Sequence, residues 1–254
     1  MKALDLVKIF FRSFFIQAAW NYERMQNIGF LYGIMPALKK IYPDKNQRFE
    51  VVKSHLEFFN THPYMIGILM GMTVSLEEKT AKDEKASTSR NMIQVSKTNM
   101  AGPLAAIGDA FFWAVWRPFC ALLVVFPVVI FFKGINNFVI WWLFFGFLIF
   151  YNSLNIYLRY YGVFMGYRLR ERIIKNISRW NIQRIISTVR IAGFITVCIA
   201  AILYFIIDLS SMREKALAVL VFCAGTYLYR KGVSSTKLFY GLLFTVILVC
   251  LARI

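Results

Sequence analysis

Hydrophobic and polar positions divide the chain into two halves of different texture. Up to about residue 100 no apolar run reaches the roughly 20 residues that a helix needs to cross a bilayer. Leu4, Val7, Phe11, Phe14, Phe15, Ala18 and Tyr22 recur at helical spacing, with Asp5, Lys8, Arg12 and Glu23 largely elsewhere on the wheel. That pattern predicts an amphipathic helix lying in the membrane interface or against another subunit. Residues 28–38 and 64–76 are apolar but too short to cross as straight helices; each contains glycine, and Pro36 and Pro63 punctuate them. They read as re-entrant or interfacial elements. Residues 77–97 mix charges with Ser87, Thr88 and Ser89, which predicts an exposed loop.

The second half carries the spans. Apolar runs predict crossings at about 104–132 (interrupted), 138–158, 191–207, 216–229 and 238–252, the last two short for a bilayer of roughly 30 Å. Between them, residues 159–190 hold Arg159, Arg168, Arg170, Arg172, Lys175, Arg179, Arg184 and Arg190 against a lone Glu171. The positive-inside rule makes this linker cytoplasmic and, by alternation, puts 133–137 and 208–215 outside and 230–237 inside. Five crossings leave the N-terminus inside and the C-terminus outside. The fold class is therefore an all-α integral membrane protein, with an amphipathic and re-entrant helical region over 1–100 and a transmembrane region over 101–254.

Composition agrees with that class. Of 254 residues, 59% are hydrophobic and 17% aromatic, well above a soluble domain. A net charge of +17 raises the question of nucleic acid, but no recognition motif accompanies it and the basic residues flank apolar segments. A cytoplasmic membrane face with anionic lipid explains it better, so no nucleic-acid partner is expected. Cys120, Cys198, Cys223 and Cys250 lie in apolar runs without metal-ligand spacing and read as small core or lipid-facing residues. The start of the chain, MKALDLVKIFFRSFF, breaks its apolar residues with charges and predicts no cleavable signal.

Candidate chemistry concentrates in a few places. The stretch 102–113, GPLAAIGDAFFW, sets Asp109 inside apparent membrane, with Arg117 eight residues on. A charge at the bilayer centre costs about 2.5–3.5 kcal/mol on insertion scales, so it faces protein or a wet cavity, unless it lies at headgroup depth and snorkels or pairs there. Gly102, Pro103 and Gly108 weaken a regular helix at the same point, and irregular backbone at membrane depth needs protein or a cavity beside it. Both readings of Asp109, pathway residue and headgroup-level pair, stand on the residues alone. His62, before Pro63, belongs to a turn and is either a hydrogen-bonded structural residue or a contact to a polar ligand or partner. His55 and His62 are the only histidines, and no GxxxxGK[ST] phosphate loop or catalytic constellation is present. Trp20, Asn21, Glu23 and Arg24 form a short polar-aromatic patch amid apolar neighbours. Glu23 and Arg24 are adjacent and would not face each other on a helix, so each is expected to find another partner.

Six blocks in order resemble the enzyme IID component of mannose/fructose/sorbose-type sugar phosphotransferase permeases. They are 17–30 (QAAWNYERMQNIGF), 35–43 (MPALKKIYP), 55–63 (HLEFFNTHP), 75–79 (SLEEK), 102–113 (GPLAAIGDAFFW) and 159–167 (RYYGVFMGY). The likeness is dense from about residue 10 to 170 and weaker beyond. Residues 208–215 look shorter than the family's usual excursion, and Ser187 and Arg190 replace its acidic and small residues.

The resemblance implies a multi-pass subunit of the bacterial inner membrane that pairs with an IIC membrane subunit, the two assembling as a trimer of heterodimers. Cytoplasmic IIA and IIB components would carry the phosphoryl groups, so this chain would be non-catalytic, with no cofactor and no metal. Sugar would pass by an elevator-like movement of a core against a scaffold. Trp20, Asn21, Glu23, Asn60 and His62 are then the candidates for contact with sugar or subunit. Asp109 is assigned chiefly to stabilising an interrupted hairpin and the moving core, with Arg117 as its partner. Arg168, Arg170 and Arg172 are candidates for docking IIB or holding anionic lipid, a basic loop that also serves simply as a topology signal. The alternative is a membrane assembly or receptor paralogue that keeps the fold without transport.

Overall fold

The computed structural model describes residues 1–82, 86–130, 136–173, 177, 180–207, 212–234 and 240–241. Among these the chain is helical, with two isolated β-bridges and no sheet. The helices are α1 (Ala3–Ser13), α2 (Asn27–Ile41), α3 (Lys45–His55), α4 (Ile66–Thr80), α5 (Ala86–Gly108), α6 (Arg117–Ile130), α7 (Asn137–Leu169), α8 (Ile182–Ile207) and α9 (Met212–Arg230). A π-helical stretch, Asp109–Trp116, joins α5 to α6. Side-chain caps precede three of them: Asp44 accepts from Gln47 N–H at 2.7 Å before α3, Asn136 from Val139 N–H at 3.0 Å before α7, and Asn181 from Arg184 N–H at 3.3 Å before α8.

α4 is the hub. Its 15 residues are too few to cross a bilayer, and it is buried on every side, as a helix apolar all round must be. It runs parallel to α7 with backbones nearly touching. Gly67 and Gly71 of α4 face Gly162 and Gly166 of α7, and a Cβ on Gly71 or Gly166 would stand 2.1 Å from the carbonyl oxygen of Val163 or Ile68. Two small-xxx-small motifs thus interlock, the packing that replaces the hydrophobic effect between helices in lipid.

Among the described residues three stretches are long and apolar enough to cross a membrane, Asn91–Val128, Asn137–Leu169 and Ile182–Ala200, and Val219–Leu228 is a shorter apolar helix. The expected crossing at 238–252 lies almost wholly outside the described residues. Residues 86–130 form one continuous helical rod, so no hairpin occurs at Gly102–Gly108 and no break at residue 100. The irregular backbone expected there takes the form of π turns ahead of Pro118, which lacks the N–H that would bond Ala114 and whose ring crowds that carbonyl. α7 has 33 residues, about 50 Å of helix, and overshoots a 30 Å bilayer. Arg159 therefore lies well inside α7, and the exposed basic residues begin with Arg168 in its last turn.

The face that α1 buries also differs from expectation. Asp5, Leu6, Ile9, Phe10 and Ser13 point inward, whereas Leu4, Phe11, Phe14 and Phe15 of the apolar stripe are exposed, Leu4 at 72%. The stripe is available to lipid or a neighbouring subunit, and Asp5 is held inside by an ion pair with Lys40 that keeps its carboxyl below the usual carboxylate range. Residues 77–97 are likewise not a simple exposed loop: Glu77 and Lys97 are both 1% exposed. Glu77 binds His55 Nε2 at 2.9 Å and accepts from the Tyr42 hydroxyl at 2.7 Å. Lys97 Nζ has no hydrogen-bond partner among the described residues and lies over the rings of Phe30 (5.3 Å) and Phe59 (5.7 Å).

Gly71→Ala and Gly166→Ala should each lower the thermal stability of the detergent-solubilised protein by about 1–3 kcal/mol, the range for overpacking. Gly146→Ala, where a Cβ meets nothing within 4 Å, should be neutral or stabilising. Equal effects at all three positions would remove the interlock.

Burial, with Lys97 nearby, drives the His55 pKa below its ordinary value against the opposing pull of Glu77, and burial takes His62 down to about 4. Both are neutral in the fold. As pH falls below about 6.5 the unfolded chain binds protons that the folded chain refuses, so each histidine removes up to about 1.4 kcal/mol of stability per pH unit. Melting curves between pH 6.5 and 5 should slope less steeply for His55→Gln than for the parent chain.

Candidate functional site

The sequence between α1 and α2 is rich in polar and aromatic residues and does not continue the helix. Residues 21–25 instead form a tight turn in which Asn21 and Met25 exchange backbone hydrogen bonds of 3.2 and 2.9 Å. Met25 takes φ 55°, an uncommon conformation for a side chain of its size. Here the adjacent Glu23 and Arg24 do meet, at 3.1 Å and at the surface, correcting the expectation that they would not. That expectation held for a helix, and the backbone is not helical. Trp20 stacks edge-on against Tyr22, with ring centroids 4.9 Å apart.

A second turn, between α3 and α4, is zipped onto the first. Gln26 N–H donates to Phe59 O at 2.8 Å, and the Gln26 side-chain amide both donates to Thr61 O (2.9 Å) and accepts from Thr61 N–H (3.1 Å). Asn27 donates to Leu56 O at 2.7 Å, and Asn21 to Asn27 Oδ1 at 3.2 Å. Thr61 Oγ1 reaches Ala101 O of α5 at 3.0 Å. Trp20, Asn21, Glu23 and Asn60 are thereby brought onto two joined turns; Trp20, Glu23 and Asn60 are exposed and Asn21 half-buried.

His62 ends the second turn and points under α5. It is 1% exposed, stacked on Phe112 with centroids 5.2 Å apart. Gly108 permits this, since a Cβ there would lie 2.2 Å from His62 Cγ. Tyr64 N–H donates to His62 Nδ1 at 3.3 Å, which leaves the ring proton on Nε2. That nitrogen has no hydrogen-bond partner among the described residues and faces Asp109 Oδ1 at 4.0 Å. Asp109 is not the buried core residue expected: its side chain is 62% exposed. Arg117, also exposed, lies over the Trp113 ring at 5.6 Å. The three residues are spaced four apart on one outward face of the rod.

The basic candidates stand elsewhere. Arg170 Nε donates to Ser75 Oγ at 2.9 Å near the far end of α4, roughly 20 Å of helix from the His62 turn, and Arg168 and Arg172 are exposed nearby in sequence. Arg159 does not belong with them. It is buried, donating from Nε to Asn155 Oδ1 at 2.9 Å and from Nη1 to the carbonyl and hydroxyl of Ser13, with Phe14 and Tyr64 rings against its guanidinium. Its position at the edge of an apolar run disguised it as a flanking cation; the amide four residues earlier, Asn155, was the signal of a satisfied internal one. Sequence reasoning likewise missed Tyr42, Glu77 and Lys97. Among the described residues no group of three or more potential metal ligands occurs.

Comparison with known proteins places this architecture. The family model for the PTS system mannose/fructose/sorbose family IID component matches residues 1–254. The mannose-specific EIID component of Escherichia coli (strain K12) is 33% identical over 199 residues, covering 74% of this chain and 64% of that protein. The sorbose-specific EIID component of Klebsiella pneumoniae is 30% identical, and the fructose permease IID component of Bacillus subtilis 31%, each with 74% of this chain and 65% of its own length covered. The chain thus spans just under two thirds of the length of these curated relatives. Among solved structures, the mannose transporter ManYZ in complex with microcin E492 matches at 27% identity and a TM-score of 0.58, covering 97% of this chain and 95% of that one. A second membrane protein matches with the same coverage at 26% identity and a TM-score of 0.71. The chain is an all-α membrane protein and belongs to the IID component family of the mannose/fructose/sorbose phosphotransferase systems.

Proposed function

We propose that this chain is the IID membrane subunit of a phosphoenolpyruvate-dependent sugar permease and forms the translocation unit with an IIC subunit. The observation that carries the reading is the pair of joined turns, which presents Trp20, Glu23 and Asn60 at the surface, half-buries Asn21 and seats His62 beneath mid-span Asp109. Indole, carboxylate and amide groups are what a hydroxyl-rich ligand requires, and family membership supplies the substrate class. Mannose, fructose, sorbose and amino sugars all fit those groups.

The exposed stripe of Leu4, Phe11, Phe14 and Phe15 offers the IIC subunit an apolar face, within a trimer of heterodimers in the bacterial inner membrane. Close α4–α7 packing supports an elevator-like motion, because a core that moves as one piece must be rigid. The chain is non-catalytic in this reading: IIA and IIB phosphorylate the sugar. Arg168, Arg170 and Arg172 meet IIB or anionic lipid at the cytoplasmic face, where each well-placed cation contributes about 1 kcal/mol.

Glu23→Gln should lower phosphorylation-coupled uptake at least tenfold while the variant still co-purifies with IIC. Loss of co-purification would instead make Glu23 an assembly residue. Deleting the chain in cells without a redundant permease should abolish uptake altogether. Replacing Arg168, Arg170 and Arg172 together by Gln should leave insertion and IIC pairing intact and reduce phosphotransfer from IIB; unchanged phosphotransfer would confine the cluster to lipid and topology.

A further inference from the structure

We propose that Asp109 and the buried Nε2–H of His62 together bind one hydroxyl group of the transported sugar, with Trp113 as the apolar wall beside it. This rests on the reading of the chain as a sugar-translocating subunit, and it moves Asp109 from a structural role to direct contact.

The geometry is specific. His62 is buried, its tautomer is fixed by Tyr64 N–H on Nδ1, and its remaining donor ends unpartnered 4.0 Å from Asp109 Oδ1. That gap is too long for a hydrogen bond. An oxygen about 2.8 Å from each atom would bridge it at an angle near a right angle once the side chains that cover the buried Nε2, the Trp113 ring among its neighbours, move aside to admit it. A hydroxyl is matched to such a pair, because it accepts from the imidazole and donates to the carboxylate at once. An orphaned buried donor costs about 1–3 kcal/mol, so the site gains from being filled.

The surroundings favour a carbohydrate. Trp113 is 39% exposed, with its ring centroid 5.2 Å from the imidazole, and offers an aromatic surface for sugar C–H groups. Arg117 closes over the same ring. Asp109, Trp113 and Arg117 share an outward face, and Asp109 stands near the middle of the Asn91–Val128 stretch. Two exposed charges on a membrane helix cannot face hydrocarbon, so a wet path or another subunit must lie against them. Discontinuous or irregular helix at the midplane is where transporters hold substrate, and here the π turns begin at Asp109 itself.

The test uses the whole permease with D-mannose, D-fructose and L-sorbose as probes, reading KM and maximal rate of uptake in intact cells and co-purification with IIC. Asp109→Asn should assemble normally and raise KM for the transported sugar at least tenfold. His62→Leu should raise it similarly, and His62→Gln, whose amide donates in the same place, should recover most of that loss. Unchanged KM in Asp109→Asn, with the parent chain transporting, would overturn the hydroxyl site alone. Failure of Asp109→Asn to co-purify with IIC would also overturn it, assigning the carboxylate to the subunit interface. If the parent permease takes up neither these three sugars nor the amino sugars D-glucosamine and N-acetyl-D-galactosamine, the transport reading itself falls.

Discussion

The contact on which the rest depends is the glycine interlock between α4 and α7. Lipid tails are as apolar as leucine, so two helices in a membrane gain little by hiding apolar side chains from lipid and must instead fit closely. Gly67, Gly71, Gly162 and Gly166 place no Cβ at the points of closest approach and let carbonyl oxygens of one helix touch the backbone of the other. This approach sets the height of α4 against α7. With α4 fixed, the His62 turn is held at one end, near Tyr151 through the 3.0 Å Tyr64–Tyr151 contact, and Arg170 at the other, through Ser75.

Close packing also determines where charge can be buried. Arg159 sits beside Gly67 in the seam, and its guanidinium reaches back to the Ser13 carbonyl at the end of α1, tying that helix terminus to the bundle. A buried cation of this kind is tolerated because carbonyl, hydroxyl and amide oxygens replace water. Lys97 solves the same problem differently, with two aromatic faces and with the nearby carboxylates of Glu77 and Glu57 balancing its charge. Glu77 in turn holds His55 and Tyr42, so α2, α3, α4 and α5 meet in one buried polar cluster. Removing a single member leaves the others desolvated and unpaired, which is why such a cluster fixes one arrangement of four helices.

Much of this architecture was legible in the sequence, in proportion to how local the signals were. Apolar runs located the long spans, and the turn at His62 was legible from Pro63, whereas the helical stripe read from Leu4 to Tyr22 stops at Ser13 and gives way to turns. Four features escaped because their causes are tertiary. The buried side of α1 is decided by the Asp5–Lys40 pair across 35 residues of chain, against the larger apolar stripe. Arg159 read as a flanking cation because α7 overshoots the bilayer thickness, and nothing local shows that α4 covers the extra turns. Glu77 and Lys97 lie in a charge-mixed stretch, and only α2 and α3 folding over them turns it inward. Glu23 and Arg24 were judged by helical geometry in a segment that is not helix. The fold class followed from local patterns, while the identity of buried charges required partners far away in sequence.

The placement of polar groups then constrains where this protein can meet lipid. α7 carries Trp141, Trp142, Phe144 and Phe145 outward and exposed, a surface that hydrocarbon can cover without cost. The rod through Asp109 cannot be treated in the same way, because it shows a carboxylate, an indole and a guanidinium on one face at mid-span. Both stretches are apolar enough to cross, yet the rod carries charge on an outward face at mid-span. The difference gives the bundle a lipid side and a side that needs water or protein. The joined turns and His62 lie on the second. The desolvation cost that keeps Asp109 out of hydrocarbon therefore assigns that side of the bundle to water or protein.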